Sequence, residues 1–400
     1  MNRPPAPGAG PAVPRLLTAL ALLWLAGAAM RIPLLAVPPV IPLIHDELHM
    51  TETQVGALIG LPLIMFALAA VPGSLLIARF GAILIAVIGL LTSALAAAAR
   101  AGAPDVGTLY AATVVMGCGI AIMQPALLTL VRAWAPSRIG LATAVSTNGL
   151  LIGVTLGPAL TIPFVLPLVG GSWRLDLLAW AAPGLAAALL YAIAAPRPQA
   201  KAESNGALAR RWWPDWNSPV IWLLGLTFGS NNALFYGANA FVPDYLNSMG
   251  RGDLIGLTLG WLNGSQLVAS FILLATAEHL QRHTWPFTVF GPLTLAGLLG
   301  VALGDGLWIV LSAAVVGFSA AVTFVVTFAL PPILSPPDDV HRMAGGMFTI
   351  SYAIAVIVPI LCGAFWDLSG IPWTAFLPLG LCGLALTMLG TALSLRRTRD

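Results

Sequence analysis

Apolar residues run through this chain in long blocks, each closed by charged residues or by a Pro/Gly cluster. The blocks fall at about 16–44, 54–77, 82–101, 106–132, 139–166 and 174–195, then at about 219–246, 255–278, 285–303, 307–331, 342–366 and 373–395. Crossing a bilayer's hydrocarbon takes about 20 predominantly apolar residues, and every block is close to that length or longer. The pattern predicts an all-α membrane protein of twelve transmembrane helices, with both chain ends on one side. Arg3 and Arg15 ahead of the first block resemble the start of a secretory signal. Because the run continues past Arg31 and many blocks follow, it is expected to remain as the first helix.

The only long polar stretch inside the chain is Pro196 to Ser218, with Lys201, Glu203, Asn205, Arg210 and Arg211. It predicts two six-helix halves, 1–196 and 218–400, joined by a cytoplasmic linker at 197–217. The end of the linker, from Arg210 and Arg211 through Trp212, Trp213 and Trp216, has the basic and indole chemistry of a membrane interface. The halves echo one another weakly. Gly117, Cys118 and Gly119 in the fourth block match Gly317, Phe318 and Ser319 in the tenth, and Pro158 in the fifth matches Pro359 in the eleventh. Repeats of this kind build many secondary transporters.

Composition narrows the class. The chain is 58% hydrophobic and 8% charged, against about 25% charged in soluble domains. The net charge of +3 carries no nucleic-acid reading, because the basic residues sit between blocks. Their distribution predicts orientation. With the termini in the cytoplasm, the inner loops and ends hold most of the arginines, Arg79, Arg132, Arg138, Arg197, Arg282 and Arg342 among them, while the outer loops hold only Arg100, Arg174 and Arg251. A multi-pass bacterial inner-membrane protein is expected. Cys118, Cys362 and Cys382 lie in apolar runs without metal or disulfide spacing and read as core residues. No nucleophile, metal cluster or phosphate loop suggests an enzyme, and no cofactor or metal is expected.

Candidate chemistry begins with Arg31, a cation deep inside the first block. A guanidinium at that depth costs about 2.5–3.5 kcal/mol on insertion scales and normally faces a protein interior or wet cavity. Its always-charged planar fork suits an anion. Pro33, Pro38, Pro39 and Pro42 make the first helix irregular, which is tolerated only against protein or water. In the seventh block Asn231 precedes Asn232, Tyr236 and Asn239, and the last three share one helical face. Asn263 and Gln266 in the eighth, Gln124 in the fourth, Asn148 in the fifth and Tyr352 in the eleventh complete the candidate substrate site. Polar residues also stitch membrane helices together, so each of these has a structural alternative. No Asp or Glu lies near the centre of a block, which leaves His45, Asp46 and Glu278 as coupling candidates. A cavity holding a cation without a carboxylate favours an anion.

These residues resemble the cyanate permease and 2-nitroimidazole transporter (CynX/NimT) branch of the major facilitator superfamily. The match runs through Arg31, Pro39 and Pro42, then Gly56, Leu61, Pro62, Phe66 and Ala67, then Phe235, Tyr236, Phe241 and Pro243, and finally Tyr352, Pro359, Gly363, Asp367 and Gly370. The resemblance implies the superfamily's fold and a transport function. The superfamily's loop motif survives only as Arg79, Phe80, Gly81, and Thr113 stands where drug-efflux members tend to carry arginine. Gly153, Gly157 and Pro158 are similar to the antiporter motif. The expected function is secondary or facilitative transport of a small organic or inorganic anion by alternating access, with a small-molecule anion and protons as candidate partners and a monomer in the bilayer as the working unit. The alternative is export of neutral aromatic compounds between Met65, Phe66, Phe235, Tyr236 and Tyr352.

Overall fold

The computed structural model describes residues 13–50, 52–196, 212–281, 283 and 285–397. The linker residues 197–211, Arg210 and Arg211 with them, and Arg282 lie outside the described residues. Helices dominate, and among the described residues there is no strand. The first six long helices are α1 (Val13–Leu35), α3 (Glu52–Phe80), α4 (Ala82–Ala101), α5 (Val106–Trp134), α6 (Ile139–Leu160) and α8 (Trp173–Ala194), with short α2 (Ile41–Leu48) and α7 (Leu166–Leu168) between them. The second six are α9 (Pro219–Ser248), α10 (Ile255–Leu280), α11 (Trp285–Leu303), α12 (Leu307–Phe328), α14 (Val340–Ser369) and α15 (Phe376–Arg397), with α13 (Leu330–Leu334) beside α12.

Eleven helices of the described chain are long and apolar enough to cross a membrane. The thirty-residue α9 is not among them, because Ser230, Asn231, Asn232 and Tyr236 interrupt its apolar run. The first block is shorter as a helix than its apolar length suggested. It stops at Leu35 and continues through a 3₁₀ turn at Pro38–Val40 into α2, since consecutive prolines have no N–H to donate and disfavour helix in the residue before them. The fifth block likewise ends as α6 at Leu160 and passes through a π-helical turn at Thr161–Val165 that contains Pro163. Local caps fix other starts. Asp105 accepts from the Thr108 amide at 2.9 Å at the head of α5, and Ser172 begins α8 in the same way.

Packing repeats between the two sets of six. The contacts α1 on α6, α3 on α5, α4 on α5, α4 on α8 and α1 on α8 recur as α9 on α14, α10 on α12, α11 on α12, α11 on α15 and α9 on α15. Small residues set the closest approaches, as expected where lipid offers helices no hydrophobic drive to associate. A methyl added to Gly149 would lie 2.0 Å from the Trp24 carbonyl oxygen, and one on Gly153 would lie 2.4 Å from that of Ala28. Only glycine lets α6 lie this close to α1.

The two sets meet along α3 with α14 and α6 with α10. The contacts there cluster between mid-depth and the face from which α1 enters. Thr349 donates to the Ala67 carbonyl at 2.9 Å, Gly345 sits against Ala70, and Gly140 against Glu278. Toward the opposite face, α1, α3 and α5 part to leave a cavity.

Candidate functional site

The cavity, of about 140 Å³, is walled by Leu34, Leu58, Pro62, Phe66 and Met116 and carries polar groups from Arg31, Arg100, Thr113 and Tyr236. Arg31 reaches it from the last stretch of α1 and is only 6% exposed. Its Nη2 donates to the Tyr352 hydroxyl of α14 at 3.4 Å. That hydroxyl donates in turn to Gln124 Oε1 of α5 at 3.0 Å. Phe66 lies under the guanidinium at 5.8 Å and edge-on to Tyr352 at 5.0 Å. Tyr236 of α9 also interacts with the guanidinium. Four candidate residues, distant in sequence, thus come together: Arg31, Gln124, Tyr236 and Tyr352.

Two donors in this cluster have no partner among the described residues, Arg31 Nε and Gln124 Nε2. A buried unsatisfied donor costs about 1–3 kcal/mol, and more when charged. The ion pairs among the described residues are Arg174 with Glu47, Arg251 with Asp305, and Arg342 with Asp339, so neither Arg31 nor Arg100 meets a carboxylate. Of Arg31 and Gln124, Arg31 lines the cavity, and a negative acceptor bound there would offset its charge.

The other candidate amides are placed differently. Asn231 accepts from Thr323 of α12 at 2.8 Å, and Asn232 donates to Ser351 of α14 at 2.8 Å. Asn263 donates to Asn239 at 2.8 Å, and Asn239 donates to the Phe235 carbonyl. Asn148 accepts from Trp24 of α1 at 2.9 Å and donates to Ser270 of α10 at 3.1 Å. Gln266 is buried within α10. Asn148, Asn231, Asn232 and Asn263 thereby tie helices to one another. The coupling candidates also stand apart from the cavity lining: His45 is half-buried, and Asp46 and Glu278 are exposed.

Three residues take places that sequence reasoning did not give them. Arg100, expected in an outer loop, is in the last turn of α4 and only 2% exposed. It lines the cavity and donates to the Pro33 carbonyl at 2.7 Å, capping the end of α1, where helix carbonyls lack partners. Thr113 also lines the cavity, its hydroxyl returned to the Leu109 carbonyl. Asp176, in the first turn of α8, is fully buried, and neither carboxylate oxygen has a partner among the described residues. At the same end of the bundle, outside the spans, Glu47 accepts from the Trp173 indole at 2.6 Å and from Arg174 at 2.9 Å. Those two partners hold it below the usual carboxylate range.

The model of the Major Facilitator Superfamily matches residues 20–350. The chain belongs to that superfamily. It is therefore a multi-pass membrane transporter rather than an enzyme. Among its relatives it is 25% identical over 380 residues to the uncharacterized transporter YycB of Bacillus subtilis (strain 168), covering 91% of this chain and 89% of that one. It is 25% identical over 364 residues to the 2-nitroimidazole transporter of Escherichia coli (strain K12), with 90% of each covered. It is 25% identical over 380 residues to the cyanate transport protein CynX of the same organism, covering 92% and 96%. These bear out the resemblance to the CynX/NimT branch. In fold, the chain superposes on the transporter FucP in its outward conformation with a TM-score of 0.75 at 14% identity, covering 96% of this chain and 99% of that one.

Proposed function

We propose that this chain carries small organic or inorganic anions, weak acids in their charged form, across a bacterial inner membrane, with both termini cytoplasmic. The halves 1–196 and 218–400 would alternate access to the site around Arg31, in a monomer embedded in the bilayer. One observation carries the reading. Arg31 is a buried cation with an unpartnered donor, in a cavity with no carboxylate to neutralise it. The names of two relatives, transporters of cyanate and of 2-nitroimidazole, fit small solutes. So does the size of the cavity, below the roughly 300–1,000 Å³ of drug-sized pockets, which weighs against export of larger neutral aromatics.

A proton belongs to the same reading. Asp176 is the one acidic side chain buried among the described residues. It shares a face of α8 with Trp173, Leu177 and Trp180, which pack in one cluster with the cavity-lining residues Val37 and Leu58. An unpaired buried carboxylate is costly as an ion, so Asp176 is a better proton carrier than exposed Asp46 or Glu278.

The test is thermal stabilisation of the purified protein by a panel of small anions and neutral aromatics, beside Arg31→Gln. A ligand that prefers the folded protein raises its stability by RT ln(1 + [L]/Kd). Stabilisation by anions that disappears in the variant is expected. Stabilisation by neutral aromatics alone, equal in both proteins, would refute the anion reading and return Arg31 to a structural role.

A further inference from the structure

Arg100 enters the cavity without having been a candidate for it, and its geometry sharpens the question of what the cavity accepts. Its guanidinium reaches the Pro33 carbonyl, so it sits near the end of α1, beyond Arg31 toward the open face. At 1.5 Å of rise per residue, Pro33 lies about 3 Å along α1 beyond Arg31. The rest of the lining is largely apolar, with Leu34, Leu58, Pro62 and Phe66.

Arg100 is not fully used by the carbonyl it caps. One nitrogen serves Pro33, while its Nε is buried and has no partner among the described residues. Two guanidinium groups, Arg31 and Arg100, therefore line one cavity, with no carboxylate among its lining residues. An anion with a single head answers Arg31 and leaves Arg100 charged and unsatisfied against an apolar wall. An anion with two heads answers both.

We infer that Arg100 is a second anion subsite, and that the cavity selects compact dianions over monoanions. One head takes Arg31 and the other takes Arg100. This rests on the anion-carrier reading and adds to it a substrate class.

The experiment compares acetate with malonate, which differ by a second carboxylate on the same carbon. Their dissociation constants are measured by ligand-induced thermal stabilisation of the full-length purified protein, in wild type, Arg100→Lys, Arg100→Gln and Arg31→Gln. A charge-assisted contact is worth about 10–100-fold in affinity, so wild type should prefer malonate by at least about tenfold. The preference should fall to near unity in Arg100→Gln and to an intermediate value in Arg100→Lys, which keeps a charge to cap α1 but loses the fork. Equal binding of the two by wild type, or a preference that survives in Arg100→Gln, overturns the inference. Should Arg100→Gln fail to fold, Arg100→Lys decides, and an undiminished preference there overturns it as well. Failure of the anion reading looks different: neither compound stabilises wild type, or Arg31→Gln leaves both affinities unchanged.

Discussion

Arg31 in the first set of helices and Asn232 in the second are both buried polar residues of spanning helices, and the chain treats them in opposite ways. Asn232 meets Ser351, and its neighbour Asn231 meets Thr323, each at 2.8 Å. Arg31 keeps an unpartnered Nε, and Gln124 beside it keeps an unpartnered Nε2. Burial alone does not mark a binding group. What separates the two regions is whether donors and acceptors have already been used on neighbouring helices. The polar residues of α9 are mostly used in this way, while Arg31 and Arg100 at the cavity each keep a donor without a partner among the described residues.

The comparison can be broken most sharply at Gln124. Replacing it with glutamate would keep the acceptor for Tyr352 and supply a permanent internal anion one hydroxyl away from Arg31. Gln124→Glu is expected to raise thermal stability while weakening anion binding by about 10–100-fold, since a buried charged hydrogen bond is worth about 1.5–3 kcal/mol and the ligand must now displace one. A variant that binds anions as wild type does would show that Arg31 and Gln124 are not the recognition pair. The next effect in size should come from Asp176→Asn, which should flatten the pH dependence of uptake while transport at a single pH persists. An unchanged profile would remove Asp176 from the proton pathway.

On the other side of the comparison, Asn232→Ala should cost about 1 kcal/mol of stability, typical of an interhelical hydrogen bond, with anion affinity within about twofold of wild type. A large affinity loss without a stability loss would move Asn232 into the site. The smallest effect is expected at Glu47, where Trp173 and Arg174 hold the carboxyl below its ordinary range. A group whose value is depressed by folding contributes stability above its unfolded value and loses it as pH falls through the folded one. Glu47→Gln should therefore lower the melting temperature slightly at neutral pH, and the difference should vanish once the solution is more acidic than the usual carboxylate range. A difference that persists in acid would assign the contribution to packing against Trp173.

Much of the fold could be read in advance, because twelve apolar blocks constrain a chain strongly. Arg31 was readable for the same reason, as a charge where the surrounding residues forbid one. Arg100 was not. A basic residue at the edge of a block, just before Ala101 and Gly102, has the same appearance whether it turns outward to water or inward to cap Pro33. The difference is made by α1, 67 residues away in sequence. Gln124 and Tyr352 were named singly, but their bond spans 228 positions, and nothing local predicts it. The polar face of α9 was also visible, while the partners that use it up come from α12 and α14. Asp176 escaped notice because it lies close to the start of its block, where a carboxylate is ordinarily solvated.

The seam that closes the bundle on the α1 entry side also bears on speed. Where Gly345 meets Ala70 and Gly140 meets Glu278, glycine's lack of a side chain lets the backbones of the two sets approach closely. Parting such surfaces wets little hydrocarbon. At about 25 cal/mol for each Å² of apolar area, every 100 Å² left out of a seam spares about 2.5 kcal/mol when it opens. Under the proposed alternating access, a seam relieved by glycine at these points would open at small cost, and the pace of each cycle would be set by how firmly the cargo is held.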